Sequence, residues 1–252
     1  MTTQEHISNW LKDYAVKHSM SGYVVGLSGG IDSAVTSTLC AMTGLKIVVA
    51  ILPIHQNPDH TARGQNHLRW LSEKFDVDFK WLDLTAPYES LRLTLPENTS
   101  PLALANTRAR LRMTTLYAVA ATENLLVAGT GNKVEDYGVG FFTKYGDGGV
   151  DVSPIGELTK TEVWQLGRDL GINEEIINAE PTDGLHPDSR SDVEQLGATY
   201  PELEFAMRWF DEGSRLFGHK LSDREKEVVD IYSALHERNS HKMSMPPVCP
   251  RL

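Results

Sequence analysis

Residues 23 to 33 read Tyr-Val-Val-Gly-Leu-Ser-Gly-Gly-Ile-Asp-Ser, and the way this stretch folds decides the architecture of the chain. Tyr23 to Leu27 is a short apolar run of strand type, Ser28 to Ser33 is a tight turn, and Ala34 to Met42 supplies helix formers. Strand, turn and helix in that order aim the first backbone N–H groups of the helix at one point, which suits an anion. The glycines let the backbone bend sharply and come close to a ligand. Two serine hydroxyls add donors, and Asp32 is a hard oxygen ligand for magnesium. No Lys-Ser or Lys-Thr follows the glycines, so the turn is not a Walker loop, and it is not G-x-G-x-x-G either.

Working outward, Ile7, Trp10, Leu11 and Tyr14 recur at helical spacing behind a Thr2/Glu5 capping pair, which predicts a helix over 3–19. Strands are predicted at 46–52, 77–82 and 125–128, with helices at 61–74 and 102–124 between them. Strands alternating with helices imply an α/β fold with a doubly wound parallel sheet flanked by helices. Residues 129 to 151 hold seven glycines, which predicts a mobile loop region around a site. Beyond it lies a helical C-terminal part, with capping boxes expected at Thr159/Glu162, Ser191/Glu194 and Ser222/Glu225. With no repeat and no Pro/Ser linker, residues 1–252 are expected to form one domain.

The formal charge of −10 opposes attraction to a nucleic-acid backbone or an anionic membrane, so neither is expected as a partner. Cys40 and Cys249 form neither a metal-ligand spacing nor a disulfide framework, and Cys40 reads as a small core residue. With no signal-type or membrane-spanning run, the expected location is cytoplasmic. His55 and His60 fall in a predicted loop with no metal-ligand spacing, so surface or turn roles are expected.

The turn at 28–33 resembles the PP-loop of ATP pyrophosphatases, which cleave ATP between its α and β phosphates. In the second half of the chain, GFFTKYGDGGVD at 140–151 resembles a signature of NAD synthetases. ARLRM at 109–113, GTGNKVE at 129–135, LTK at 158–160, EPTDGL at 180–185 and HK at 241–242 follow that family's order. The resemblance covers nearly the whole chain. It implies an adenine nucleotide alpha hydrolase-like fold and an ammonia-using synthetase without a glutaminase domain. Such an enzyme amidates deamido-NAD through an acyl-adenylate, with ATP as co-substrate and Mg2+ as cofactor.

Carried over by position, Gly26, Leu27, Ser28, Gly29, Gly30, Ile31, Asp32 and Ser33 cradle the ATP phosphates. Thr130, Lys160 and Thr182 also match ATP-contacting positions, and Asp32 with Lys160 forms the catalytic set. Arg110, Lys144, Asp151, His241 and Lys242 match positions that hold deamido-NAD, which in the family lies across a homodimer interface; a homodimer is therefore expected. The second magnesium ligand is open. Counting forward from GTGNK selects Glu135 and counting back from FFTKYG selects Asp136, because one extra residue lies between the blocks. Glu135 is preferred, since its side of the gap is anchored to a strand while Gly138 and Gly140 can absorb an insertion. On a helix, neighbours point about 100° apart, so both are not expected to reach one ion. The same geometry separates Arg110 from Arg108 and Arg112, for which a structural pair, a solvated face and a functional role all stay open. Ordering of loops 136–150 and 183–190 on ligand binding is expected, as closure protects a hydrolysable adenylate. Two rival readings remain, another PP-loop ligase and a silent nucleotide-binding protein on the same fold.

Overall fold

The computed structural model describes residues 1–56, 58–182, 191–212 and 220–251. Strand β1 (Gly22–Gly26) lies between β2 (Lys46–Ile51) and β4 (Leu125–Ala128), and β3 (Asp78–Trp81) pairs on the outer side of β2. All pairings are parallel and the order is β3-β2-β1-β4. Successive side chains on a strand face opposite sides, and β1 shows why it is apolar throughout. Tyr23 and Val25 enter one core with α1 (Thr3–Lys17), α2 (Ile31–Met42), α3 (Pro58–Lys74) and α6 (Lys160–Leu170). Val24 enters the other core with Val48, Val127 and residues of α4 (Thr85–Arg92) and α5 (Pro101–Glu123). The sheet is therefore doubly wound, as the alternation predicts. Each fully buried Val or Leu contributes roughly 1.5–3 kcal/mol. Cys40 is fully buried in the first core.

A third core, away from the sheet, joins a π-helix (Val134–Val139) to α8 (Asp192–Leu196), α9 (Tyr200–Glu212) and α10 (Asp223–Asn239). Short α7 (Glu174–Ile177) and a 3-10 turn at Ser240–Lys242 complete the helical part. All the expected capping boxes are present, with Thr2, Thr159, Ser191 and Ser222 each accepting from the backbone of the glutamate three residues on.

One element is absent from the sequence reading and one expectation is corrected. Helix α4 has no side-chain cap and buries only Tyr88, so it carries little sequence signal. The glycine-rich stretch is not a mobile loop throughout: residues 134–139 form the π-helix, with Val134 and Val139 fully buried. A π-turn holds one more residue per hydrogen-bonded loop than an α-turn, which accommodates the extra residue counted between the two motif blocks. The loop expectation for 183–190 lies outside the described residues.

Candidate active site

The chain leaves β1 and β4 in opposite directions, so the loops after these two strands flank a crevice at the switch point of the sheet, where ligands of open α/β sheets bind. A cleft of about 300 Å³ opens there. Its walls include Gly26, Leu27, Ser28, Gly30, Ile31, Asp32 and Ser33 from the first turn, and Thr130, Lys160 and Thr182 from later segments.

The turn is preorganised by its own hydroxyls. Ser33 Oγ donates to Gly30 O (2.9 Å) and accepts from Ser28 N (3.2 Å). Its remaining contact, 3.0 Å to Ser28 Oγ, is then one in which Ser28 donates. Ser28 Oγ in turn accepts from Gly30 N (3.2 Å). Gly29 does not line the cleft; it sits at φ 89°, where a Cβ would meet His60 O at 2.3 Å, so glycine is required by both dihedral and space. The N-cap of α2 is Gly30, which offers no side-chain acceptor, so the first-turn N–H groups of α2 are left for a ligand.

Opposite this turn, Lys160 is the first residue of α6 and is almost fully buried. Its Nζ donates to Asp32 Oδ2 (2.6 Å) and Glu135 Oε1 (3.0 Å) and lies 4.7 Å above the Tyr200 ring. Burial works against its charge, but Asp32 and Glu135 outweigh that and raise its pKa above the usual lysine value. Asn132, fully buried, donates to Asp32 Oδ1 (3.1 Å) and accepts from the backbone N–H groups of Val134 and Glu135. The Tyr200 hydroxyl reaches Glu135 Oε1, and also Asp192 Oδ2 at 2.7 Å. Burial, Glu135 and Asp192 hold this phenol well above its usual pKa, so it acts as a neutral donor.

Glu135 and Asp136 both line the cleft, but their carboxylates meet different groups, in keeping with the expectation that both do not reach one ion. They differ in partners. Glu135 joins Asp32 through Lys160, whereas the Asp136 carboxylate packs against Gly131, where a Cβ would come within 2.0 Å of Oδ2. Burial, followed by the charges of Glu135 and Asp147, pushes the Asp136 carboxyl well up.

The positions matched to the second substrate do not line this cleft. Four of them meet where the 240–244 tail crosses the 140–146 segment. Arg110 Nε donates to Lys144 O (3.3 Å), Lys144 Nζ to His241 O (2.7 Å) and Ser244 O (3.2 Å), and Lys242 Nζ to Gly140 O and Phe142 O. Among the described residues Arg110, Lys144 and Lys242 form no salt bridge, although burial lowers the Lys242 pKa and the charges of Asp147 and Asp136 act on it. Asp151 is placed differently. It accepts from Val127 N (2.8 Å) and Tyr117 OH (3.1 Å), holding the 151–153 segment along the free edge of β4.

The arginine spacing resolves as geometry requires. Arg108 lies on Tyr88, Arg110 is exposed, and Arg112 turns into the cleft, bonded to Leu52 O (2.9 Å) and Gln56 Oε1 (3.0 Å). Burial and Arg108 lower the Arg112 pKa to about 10, so it remains charged at neutral pH. His60 also lines the cleft, from the first turn of α3, while His55 is exposed and paired with Glu89 at 2.8 Å. Sequence reasoning does not single out Asn132, Tyr200 or Asp192; Asn132 could have been found from its place inside GTGNKVE, the other two from no motif.

The NAD synthase family model matches residues 3–246. The chain belongs to that family. It is 39% identical over 249 residues to the NH(3)-dependent NAD(+) synthetase of Carboxydothermus hydrogenoformans, covering 97% of this chain and 95% of that protein. It is 35% identical to the Methanosarcina acetivorans protein of the same name, covering 97% and 96%. Among solved structures, NMN synthetase from Francisella tularensis matches with a TM-score of 0.85 at 32% identity, covering 99% of this chain and 98% of that one. The NH3-dependent NAD synthetase of Campylobacter jejuni matches with a TM-score of 0.81 at 25% identity, covering 98% and 97%.

Proposed function

We propose that this chain is an ammonia-dependent NAD synthetase, a carbon–nitrogen ligase that spends ATP to amidate the nicotinate carboxylate of deamido-NAD. The observation that carries the reading is the convergence of Asp32, Glu135 and Lys160 on a preorganised phosphate turn, in a chain whose similar relatives bear that name. A carboxylate is a poor acyl donor because oxide would have to leave. Its oxygen attacks the α-phosphorus of ATP, the bond to the β-phosphate bridging oxygen breaks, and pyrophosphate departs. Ammonia then attacks the acyl carbon and AMP leaves with the former carboxylate oxygen.

The protein's share is positioning and charge neutralisation. The 28–33 turn and the α2 N-terminus cradle the phosphates, and Thr130 and Thr182 contact the nucleotide. Lys160 neutralises charge that develops on the pyrophosphate. Arg110, Lys144, Asp151, His241 and Lys242 hold deamido-NAD, in a homodimer that brings two protomers together. Residues 1–252 act as one domain, and the enzyme works in the cytoplasm. Among the described residues, no helix is long and apolar enough to cross a membrane.

Mg2+ fits the donor set. Two carboxylates, Asp32 and Glu135, flank the Lys160 ammonium and line the cleft, so they would hold the ion beside that cation. Among the described residues there is no larger cluster of ligating side chains, so phosphate oxygens and water complete the shell. When bound, the ion supplies electrostatic neutralisation of the ATP phosphates.

The test is release of AMP and NAD in equal amounts from ATP, Mg2+, deamido-NAD and ammonium, with none when glutamine replaces ammonium. Equal rates with the two nitrogen sources contradict the ammonia assignment. A second reading is favoured by the NMN synthetase match, with a TM-score of 0.85 over 99% of this chain. In it the acceptor is nicotinate mononucleotide. Competition between the two acceptors, read as relative kcat/KM, separates the readings.

A further inference from the structure

Lys160 is held at both of its ends by one helix that carries none of the family's motif blocks. Helix α9 presents Tyr200 and Glu204 one turn apart, on the same face. Glu204, almost fully buried, accepts from the backbone N–H of Thr161 (2.8 Å) through Oε1 and from its hydroxyl (2.7 Å) through Oε2. That grip fixes the first turn of α6 immediately beside Lys160. Tyr200 lies under the ammonium and engages Glu135, one of its two carboxylate partners. Neither α9 residue forms a hydrogen bond with the 28–33 turn, although the charge of Asp32 acts on Tyr200.

We propose that Tyr200 and Glu204 are positioning residues for Lys160, so that α9 sets where the ammonium meets the ATP phosphates. The assignment rests on the reading of the cleft as an ATP site. Its physical basis is economy of freedom: a lysine side chain has four rotatable bonds, and an ammonium free to settle on either carboxylate is poorly placed for a phosphate. Glu204 fixes the stem's origin. Tyr200 offers a π-face below the cation, and its single O–H proton, set between Glu135 Oε1 and Asp192 Oδ2, occupies a lone pair of Glu135 when donated there, drawing charge from that carboxylate's hold on Lys160. Losing the hydroxyl leaves Glu135 to bind the ammonium more tightly and draws it from the nucleotide.

A double-mutant cycle tests this, read as the Kd of α,β-methylene-ATP with Mg2+ by calorimetry, on native protein, Tyr200→Phe, Lys160→Gln and the double variant. Phenylalanine keeps the ring and removes only the hydroxyl. The expected result is a weakening of about fivefold or more by Tyr200→Phe in the native background and less than twofold in the Lys160→Gln background. The same factor in both backgrounds, or no weakening in the native one, overturns the proposal, because a merely structural tyrosine acts independently of Lys160. Glu204→Gln runs through the same cycle with the same criteria and replaces Tyr200→Phe if circular dichroism shows that variant unfolded. Absence of analogue binding to the native protein would overturn the ATP-site reading itself, and the proposal with it.

Discussion

Lys160 and His67 are both buried ionisable side chains, and they meet burial in opposite ways. Lys160 keeps its charge because two carboxylates surround it. Replacing it with glutamine leaves Asp32 and Glu135 facing each other without a cation, and breaking such a buried pair costs about 3–5 kcal/mol. The thermal midpoint of Lys160→Gln should fall by several degrees in EDTA and recover in millimolar Mg2+; a midpoint indifferent to Mg2+ would contradict the placement of the ion between these carboxylates. His67 has no charged partner. It is fully buried against Trp70, Nε2 lies 3.1 Å from Ser37 Oγ, and Nδ1 has no partner. Because Ser37 Oγ donates to Ala34 O, it accepts from the ring, so Nε2 carries the proton. Burial lowers the His67 pKa to about 4. The unfolded chain, with histidine near its usual value of about 6.5, therefore binds more protons between these limits, and stability falls as pH drops through that window. The loss is about 3 kcal/mol by pH 4. Urea unfolding from pH 7 to 4 should show a flatter profile for His67→Phe than for the native chain, and parallel profiles would rule this account out. At this scale the sequence shows Asp32 and Lys160 through their motifs. It does not show Tyr200 or Glu204, whose contacts are made only when α9 folds back on α6.

The strands are the elements most legible in the sequence, and the reason is that β1 is covered on both faces. Its apolar run needs no alternation to be read, and the glycine turn after it gives the direction of the chain. The capping boxes are equally legible, since each is a local bond between residues three apart. The π-helix is not. VEDYGV looks like part of a glycine-rich loop, and what makes it a helix is the burial of Val134 and Val139 against α9 and α10, a contact between distant segments. That element carries Glu135 and Asp136 into the same cleft, and their partners rank them. Glu135→Gln should lower the rate of adenylation by one to two orders of magnitude and raise the Mg2+ requirement, since it breaks the set formed with Lys160 and Asp32. Asp136→Asn should cost less than about tenfold, because its carboxyl is pushed toward the neutral form by burial and its charged neighbours. Single-turnover adenylation of the two variants gives the ranking, and the reverse order would make Asp136 the metal ligand.

At the scale of the molecule, the two regions proposed to hold ligands lie apart. The proposed nucleotide cleft lies at the sheet's switch point, while Arg110, Lys144, His241 and Lys242 gather outside it, with Arg110 exposed and the two lysines partly so. A second protomer is the natural way to cover that group. The exposed face of α5 suits such a contact, because Thr114, Ala118, Ala121 and Thr122 are small and uncharged where a solvated helix normally carries charge. Light scattering should give a dimer mass for the native chain, and Ala118→Arg should shift it toward monomer with loss of amidation; a native monomer that is fully active would contradict the shared site. What the sequence shows at this scale is the family's motif order; it does not show which blocks meet in space, and Asp151, carried over with the second-substrate group, makes its bonds at the β4 edge instead. The central claim is that the nicotinate carboxylate is activated by AMP transfer in the cleft formed by the 28–33 turn, Asp32 and Lys160. Deamido-NAD labelled with oxygen-18 in that carboxylate tests it most directly, with the products separated and weighed by mass spectrometry after turnover with ATP, Mg2+ and ammonium. The account predicts one labelled oxygen in AMP and none in pyrophosphate; label absent from AMP, or present in pyrophosphate, would contradict it.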